Sequence, residues 1–175
     1  MQAARFHIRR ALAQDVASLV DVGRQSFTDA FGAAYDPKDL AAFLDENYSE
    51  AVFTDAIAAP HYAVWIALDG ERLVGFGMFG PNDLPIDEAC SKPGSVKRLY
   101  LLADVQGCGL GSQILELGLS WLKANGYAPI FLSAAAQNIG AQRLYARYGF
   151  VKVKDFDFMV GAHADAEFLM RLGAP

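Results

Sequence analysis

The chain has 175 residues, of which 53% are apolar and 20% are charged. This composition predicts a single compact domain over residues 1–175 and excludes a disordered chain. The formal net charge of −5 disfavours nucleic-acid binding, which requires a basic surface. No apolar run reaches about 18 residues and "MQAARFHIRR" lacks an apolar signal core, so we expect neither membrane insertion nor secretion.

Cysteine and histidine are sparse and scattered. Cys90 and Cys108 are the two cysteines, and they do not have the close spacing of a metal-binding pair. His7, His61 and His163 are equally far apart in the chain, so no metal site is expected. Two separated cysteines fit a reducing compartment, which predicts a cytoplasmic protein.

The N-terminal half combines one strand, a helical region and a hairpin. Alternating polarity predicts a strand over Arg5 to Ala11, and apolar residues at helical spacing predict a helix over Asp15 to Phe31. Pro37 begins a second helix that ends at Tyr48, and Glu50 to Ala58 is a third. Two apolar runs then flank "DG" at residues 69–70, which is a strong signal for a β-hairpin.

The C-terminal half alternates strands and helices after an acidic, proline-containing loop. We predict that loop over Pro81 to Pro93, followed by a strand over Val96 to Leu102 and a helix over Leu110 to Asn125. A strand in "APIFLSA" and a helix over Asn138 to Tyr148 come next, and Gly126 and Gly149 end the two helices. The last two predicted strands are Val151 to Val153 and Ala166 to Leu172. This order predicts an α/β fold, in which a mixed sheet carries helices on both faces.

The segment "QGCGLGS", residues 106–112, places three glycines between a strand and a helix. Free N–H groups and the positive end of the dipole make the start of a helix a site for anions, especially phosphates. A Walker loop would end in Gly-Lys-Ser/Thr, but this segment has no lysine. A dinucleotide loop would need a third glycine at position 112, where Ser112 stands. A tight turn without a ligand remains an alternative.

A third pattern fits, and a second motif supports it. Gln106, Gly109 and Gly111 match Q/R-x-x-G-x-G, which resembles the pyrophosphate loop of GNAT N-acetyltransferases. One strand downstream, "NIGAQRLYARYGF" resembles the N-x-x-A-x-x-x-Y-x-x-x-G-F pattern of the same family. The helical spacing of Tyr145 with its apolar neighbours would also fit ordinary core packing. The order of the two motifs around one strand favours the GNAT resemblance.

The resemblance implies a GNAT fold, in which a central mixed, mostly antiparallel sheet of six to seven strands is splayed at the acetyl-CoA site. It implies acetyl-CoA as the cosubstrate and no metal. It further implies that the pyrophosphate binds the loop and that the pantetheine arm runs along the preceding strand, with Asn138 on its other side. The implied cofactor-binding residues are Leu99, Tyr100, Leu101, Gln106, Gly107, Cys108, Gly109, Leu110, Gly111, Ser112 and Asn138.

The implied chemistry is direct attack of an amine on acetyl-CoA in a ternary complex. Tyr145 resembles the family's general acid, and its ordinary pKa near 10 would keep it protonated at neutral pH. The backbone N–H of Leu101 is a candidate donor to the oxyanion. Many relatives carry a glutamate on the strand before the loop, but "GSVKRLY" has none. The base could be an ordered water or an acidic residue elsewhere, and the candidates are Glu46, Asp83 and Asp87.

The region "SFTDAFGAAYDPKDLAAFLDENYS" resembles the helical part of bacterial spermidine/spermine acetyltransferases. We therefore expect a small primary amine, with polyamines first, as the acceptor. The aromatic residues expected to line its slot are Phe27, Phe31, Tyr35, Phe43 and Tyr48, and the acidic residues expected to wall it are Asp36, Asp39, Asp45, Glu46, Asp83, Asp87 and Glu88.

Other interpretations stay open. The acceptor could be a protein N-terminus or a lysine, and the chain could be a non-catalytic acetyl-CoA sensor, which the missing glutamate favours and the intact Tyr145 disfavours. The sequence leaves both a monomer and a homodimer open.

Overall fold

The computed structural model describes residues 5–173; residues 1–4 and 174–175 of the predicted domain lie outside the described part. The chain order of the main elements is β1 Phe6–Arg10, α1 Val16–Phe31, α2 Pro37–Asn47, α3 Glu50–Ala58, β2 Ala63–Asp69, β3 Arg72–Pro81, β4 Gly94–Leu101, α4 Leu110–Ala124, β5 Ile130–Ala135, α5 Ile139–Arg147, β6 Phe150–Val160 and β7 His163–Leu172. Short 3₁₀ turns precede α1, α2 and α4.

The strands form one seven-stranded sheet in the order β1-β2-β3-β4-β5-β7-β6. Every neighbouring pair is antiparallel except β4 and β5, which are parallel. Phe76 of β3 packs against Phe53 of α3, whereas Phe79 packs against α4. Since residues 76 and 79 point to opposite faces of a strand, helices cover both faces. The predicted mixed α/β sheet is therefore confirmed.

Local signals explain where the helices begin and end. The Asp36 carboxylate accepts a hydrogen bond from the Lys38 N–H at 2.8 Å, and Pro37 takes the first helical position of α2. Ser49 caps α3 in the same way. After α4 and α5 the chain continues through Gly126 and Gly149, which have φ of 75° and 88°. Glycine adopts this left-handed conformation without strain, so both predicted helix ends are confirmed.

Several predicted boundaries in the sheet are wrong. The β2–β3 register pairs Asp69 with Arg72, so the turn is centred on Gly70 and Glu71 rather than on residues 69–70. The last two strands form a long hairpin, in which β6 runs to Val160 rather than ending at Val153, and β7 begins at His163 rather than at Ala166. The alternation of apolar and polar residues in "VKVKDFDF" changes phase after Lys154, next to a register shift, and this change obscured the strand pattern.

Close packing fixes α4 against the sheet. A Cβ atom at Gly118 would lie 2.0 Å from the ring of Phe79, which is fully buried in β3. A Cβ atom at Gly111, in the first turn of α4, would lie 3.5 Å from the nearest side-chain atom, which is an ordinary van der Waals distance. The hydrogen side chain of Gly118 thus allows α4 to approach the sheet.

We predict opposite effects of alanine at these two glycines. Gly118→Ala should lower the free energy of unfolding by about 1–3 kcal/mol, because the methyl group overpacks the core. Gly111→Ala should leave stability unchanged or raise it by up to about 1 kcal/mol, because alanine favours the helix. Urea titration of the two variants checks both values, and a Gly118→Ala protein as stable as the wild type would contradict the packing argument.

Candidate active site

The sheet opens between β4 and β5. The two strands pair only at Gly94 with Ile130 and at Ser95 with Phe131, after which they diverge. The remainder of β4 stays paired with β3 as far as Leu101. Leu102 donates its N–H to Val74 of β3, and N–H groups alternate sides along a strand, so those of Leu99 and Leu101 point into the gap. The gap therefore has one strand edge with free backbone groups.

The glycine loop lies where β4 leaves the sheet. Gly107 and Gly109 have φ of 79° and 83°, and a Cβ atom at either would find no atom within 4 Å. The Gln106 side chain donates to the Leu101 carbonyl at 3.1 Å and so connects the loop to β4. Gly109 is the N-cap of α4, whose first N–H groups have no partner within the helix. The loop therefore has the open backbone that anion binding requires.

Two cavities follow the gap. The larger has a volume of about 750 Å³, and Leu99, Tyr100, Asn138 and Tyr145 are among the residues that line it. The smaller, of about 440 Å³, is lined in part by Leu101, Gln106 and Asn138. Phe31 and Asn138 line both, so the two cavities are neighbours. The smaller lies beside Gln106 of the glycine loop, and the larger contains Tyr145.

The remaining predicted cofactor residues, Gly107 to Ser112, line neither cavity and make up the loop and the first turn of α4. The Leu110 side chain is fully buried in the core, so only its backbone is available to a ligand. Asn138 is the N-cap of α5, and its Oδ1 accepts the Ala141 N–H at 3.1 Å. The Asn138 side-chain amide group remains able to donate.

Tyr145 lies inside the larger cavity and is 7% exposed. Its ring packs edge-on against Phe150, with centroids 6.0 Å apart. Burial, together with the nearby charge of Glu167, raises the pKa of the Tyr145 hydroxyl to about 12. Tyr145 therefore stays protonated across the physiological range and can donate a hydrogen bond into the cavity.

Three acidic residues that sequence reasoning missed also line the larger cavity. Asp55 is an exposed residue of α3, whereas Asp165 and Glu167 lie on β7. The Tyr35 hydroxyl donates to Asp165, and the Ser133 hydroxyl bonds the Glu167 carboxyl. The alternation in "HADAEF" places both carboxyls on one face of β7, which is an internal strand. Charged residues at alternate positions of an internal strand were the signal that could have identified them.

The acidic residues proposed from sequence as a base have other surroundings. Glu46 is exposed on α2 and does not line the larger cavity. Asp87 forms an ion pair with Lys154 at 2.8 Å, also outside that cavity. Asp83 does line the cavity, but it pairs with Lys97 at 2.7 Å.

The cavity also contains a positive group. The guanidinium carbon of Arg98 lies 4.5 Å from the ring centroid of Tyr48 and 5.8 Å from that of Phe53. Its Nη1 is buried and has no hydrogen-bond partner among the described residues. All five aromatic residues expected at the slot, Phe27, Phe31, Tyr35, Phe43 and Tyr48, line this cavity. The cavity thus combines an aromatic wall with charged groups of both signs.

A splayed sheet that carries a glycine loop at the head of a helix and a buried tyrosine beside the gap defines a class, the acyl-CoA-dependent transferases. A sequence profile of the acetyltransferase (GNAT) family matches residues 24–150. The chain belongs to this family, and it is an acetyltransferase. The fold class inferred from the two motifs is confirmed.

Relatives and solved structures agree with the family. The chain is 26% identical over 163 residues to an uncharacterized N-acetyltransferase of Lactobacillus delbrueckii subsp. lactis, covering 90% of this chain and 91% of the relative. It is 28% identical over 156 residues to an uncharacterized N-acetyltransferase of Mycobacterium tuberculosis, covering 89% and 96%. The structure of the PaiA N-acetyltransferase from Thermoplasma acidophilum in complex with coenzyme A superposes with a TM-score of 0.75 at 20% identity, covering 98% of this chain and all of that chain. These matches agree with the acetyltransferase family and, for the solved structure, with its fold.

The described residues contain neither a membrane-spanning helix nor a cluster of metal-binding side chains. Within residues 5–173, no helix is long and apolar enough to cross a membrane. Over the same residues, no group of three or more His, Cys, Asp or Glu side chains is placed to hold a metal ion.

Proposed function

We propose that the chain transfers the acetyl group of acetyl-CoA to a primary amine of a small molecule, by direct attack in a ternary complex. The observation that carries the proposal is the free edge of β4, which leads from the glycine loop to the cavity that contains Tyr145. We further propose one domain over residues 1–175 and a cytoplasmic location. The free thiols of Cys90 and Cys108 fit a reducing compartment.

In this proposal the cofactor lies along β4 like an additional strand. Backbone groups of Leu99 to Leu101 bind the pantetheine arm, and Asn138 donates to it from the start of α5. The pyrophosphate binds the N–H groups of Gly107 to Ser112, with Gln106 holding the loop to β4. The unpaired N–H groups of Leu99 and Leu101 support this arrangement.

The proposed chemistry forms a C–N bond and breaks the C–S bond of the thioester. The Leu101 N–H stabilises the oxyanion of the tetrahedral intermediate. The Tyr145 hydroxyl donates to the departing sulfur, and its raised pKa supports the protonated form that this step needs.

The first prediction for this proposal concerns the loop. Gly109→Val should weaken acetyl-CoA binding at least about tenfold, which corresponds to about 1.4 kcal/mol, because the side chain occupies space that the pyrophosphate needs. Gly70→Val is the matched control, since Gly70 also has a positive φ, of 63°, with no atom near its Cβ position. Both variants should lose similar stability, but only the loop variant should lose affinity. Calorimetry showing unchanged affinity in folded Gly109→Val would sink the loop assignment.

The second prediction concerns Tyr145. Tyr145→Phe keeps the buried ring, and it should lower kcat by about 10²–10⁴-fold with little change in acetyl-CoA affinity. Tyr127→Phe is the control, because Tyr127 is also buried and its hydroxyl donates to the His61 carbonyl at 3.2 Å. Thiol-release assays should show near wild-type turnover for the control. Wild-type turnover in Tyr145→Phe would make that residue an ordinary core aromatic.

For the acceptor we propose polyamines first. The seven acidic residues expected at the slot give little support, since Asp83 is the only one of them that lines the larger cavity. Support comes instead from the carboxyls of Asp165 and Glu167, together with the aromatic wall that would pack on aliphatic methylenes. Electrostatic attraction of cations to the negatively charged protein adds to the association rate.

A specific observation favours a second acceptor class. The buried Nη1 of Arg98 has no partner among the described residues, and a guanidinium binds carboxylate or carbonyl oxygens well. An amino acid or a peptide N-terminus places such oxygens close to its amine. Protein N-termini are therefore the second candidate, and a non-catalytic sensor would release no thiol in response to any amine.

The third prediction separates these acceptors. Spermidine should give amine-dependent thiol release, and its apparent KM should rise at least about threefold as ionic strength increases from 0.01 M to 0.15 M, because the screening length shortens from ~30 Å to ~8 Å. The KM of an acceptor that is uncharged at the assay pH should not change. If spermidine, spermine and putrescine fail while a peptide N-terminus succeeds, the polyamine proposal is wrong.

A further inference from the structure

Glu167 occupies an unusual position for a carboxyl group. It lies in the middle of β7, an internal strand, opposite Ala135 of β5 and Phe156 of β6. Its side chain lines the larger cavity, yet its Oε2 is inaccessible to solvent. Internal strands seldom carry acidic residues, because burial disfavours the charged form. Burying this carboxyl group lowers stability, so we expect the carboxyl group to have a function.

No cation compensates this carboxyl within the described residues. The Ser133 hydroxyl forms a hydrogen bond with it, but Oε2 has no partner. Asp83, which lines the same cavity, is by contrast paired with Lys97. Ser95 of β4, which is 1% exposed and also lines the cavity, likewise has an Oγ without a partner among the described residues. Two strands that line one cavity thus each carry a buried polar atom whose hydrogen bonds are incomplete, which is unusual in a folded protein.

Glu167 and Tyr145 act on each other electrostatically. The charge of Glu167 contributes to the raised pKa of Tyr145, and both side chains line the cavity beside the β4–β5 gap. The other titratable groups around Glu167 are Asp165 on its own strand and Tyr35, from the turn before α2, whose pKa the charge of Glu167 also helps to raise. β6 contributes only the ring of Phe156 at this point, so the surroundings of the carboxyl are largely apolar.

We propose that Glu167 is the general base that removes a proton from the acceptor ammonium before it attacks acetyl-CoA. This inference rests on the proposed function and assigns the base that the strand before the glycine loop lacks. That strand has Ser95 and Lys97 at the relevant positions, and Lys97 is paired with Asp83. The base would thus act from β7, across the gap from the strand that binds the cofactor.

The protons balance as follows. An N–H bond of the ammonium breaks and its proton passes to the Glu167 carboxylate, which leaves the amine with a free electron pair. The amine attacks the carbonyl carbon, and collapse of the intermediate breaks the C–S bond. Tyr145 gives its proton to the sulfur, and the second proton lost from nitrogen restores the tyrosine. Glu167 then releases its proton to solvent, so the sum is amide, free thiol and one proton.

Burial gives this base a suitable strength. Desolvation is the largest effect on the pKa of Glu167, and it raises that pKa. The hydrogen bond with Ser133 lowers the pKa, and the negative charge of nearby Asp165 raises it further. A raised pKa makes the carboxylate a better proton acceptor at neutral pH. Activity toward strongly basic amines should therefore fall as the pH drops through a value above the ordinary glutamate range.

The test compares two amines of different basicity. The first is the acceptor that gives the most thiol release among spermidine, spermine, putrescine and a peptide N-terminus. The second is its β,β-difluorinated analogue, which is largely neutral at the assay pH. Glu167→Gln keeps the shape and the Ser133 contact but cannot accept a proton. It should lower kcat/KM by about 10²–10⁴-fold for the strongly basic amine and by less than about tenfold for the analogue. Glu46→Gln, the same change on an exposed residue, should match the wild type with both amines.

Asp165→Asn separates proton transfer from electrostatic attraction. It removes a negative charge from the same face of β7, so it should raise the KM of a cationic acceptor without making kcat depend on amine basicity. Equal losses with both amines in Glu167→Gln would make that residue a binding or structural group and overturn the inference, as would wild-type activity. Unchanged acetyl-CoA affinity of the variant serves as the folding check.

The pH dependence of kcat supplies a second measurement. For the strongly basic amine, the wild-type kcat should show an acidic limb that Glu167→Gln lacks. Identical profiles for the wild type and the variant would overturn the role of Glu167 while leaving the proposed function intact. A wild type without amine-dependent thiol release would overturn the proposed function, and this inference with it.

Discussion

The divergence of β4 and β5 after two paired residues is the constraint on which the site depends. A register shift lies between Met78 and Phe79 of β3, so that Lys97 of β4 has no partner in the β3–β4 ladder. Such a bulge bends its strand and increases the local twist. Because α4 holds β2, β3 and β4 together on one face, the bend separates β4 from β5 and leaves the rest of the sheet continuous.

An open strand edge inside a protein carries an energetic cost unless something pairs with it. Each buried N–H or C=O without a partner costs about 1–3 kcal/mol. A ligand with amide groups along its length can pair with such an edge, whereas a purely apolar ligand cannot. In the proposed function, the gap would therefore bind a peptide-like arm, and the loop at its end, which begins beside Leu101, would bind an anion. Coenzyme A combines both features in one molecule.

Much of this frame could be predicted from local sequence. The two glycines with positive φ in the loop, the Asp36 and Asn138 caps and the helix ends at Gly126 and Gly149 are each set by residues close in the chain. The turn at Gly70 was misplaced by one residue, because "DG" fits two alignments of a tight turn. The last hairpin was predicted too short, since the alternation of β6 changes phase after Lys154, next to a register shift.

The acidic wall of the cavity could not be predicted in this way. Asp165 meets Tyr35 across 130 positions of sequence, and the charge of Glu167 reaches Tyr145 because β7 inserts between β5 and β6. The sequence showed no acidic residue on the strand before the loop, where Ser95 and Lys97 stand, and left the base to a water or to an acidic residue elsewhere.

A reaction centre between two diverging strands has two walls, and each can supply a chemical group. In the proposed arrangement β4 binds the cofactor with its backbone edge, and it also presents the Arg98 guanidinium to the cavity. β7 presents carboxyls to the same cavity, beside the rings of Phe156 and Phe158 of β6. Charges act more strongly on their neighbours inside a protein than in water, so a carboxyl on either wall can influence the same reacting atoms. A reaction in this gap therefore needs a carboxyl group beside the gap, but it does not need that carboxyl group to come from a particular strand.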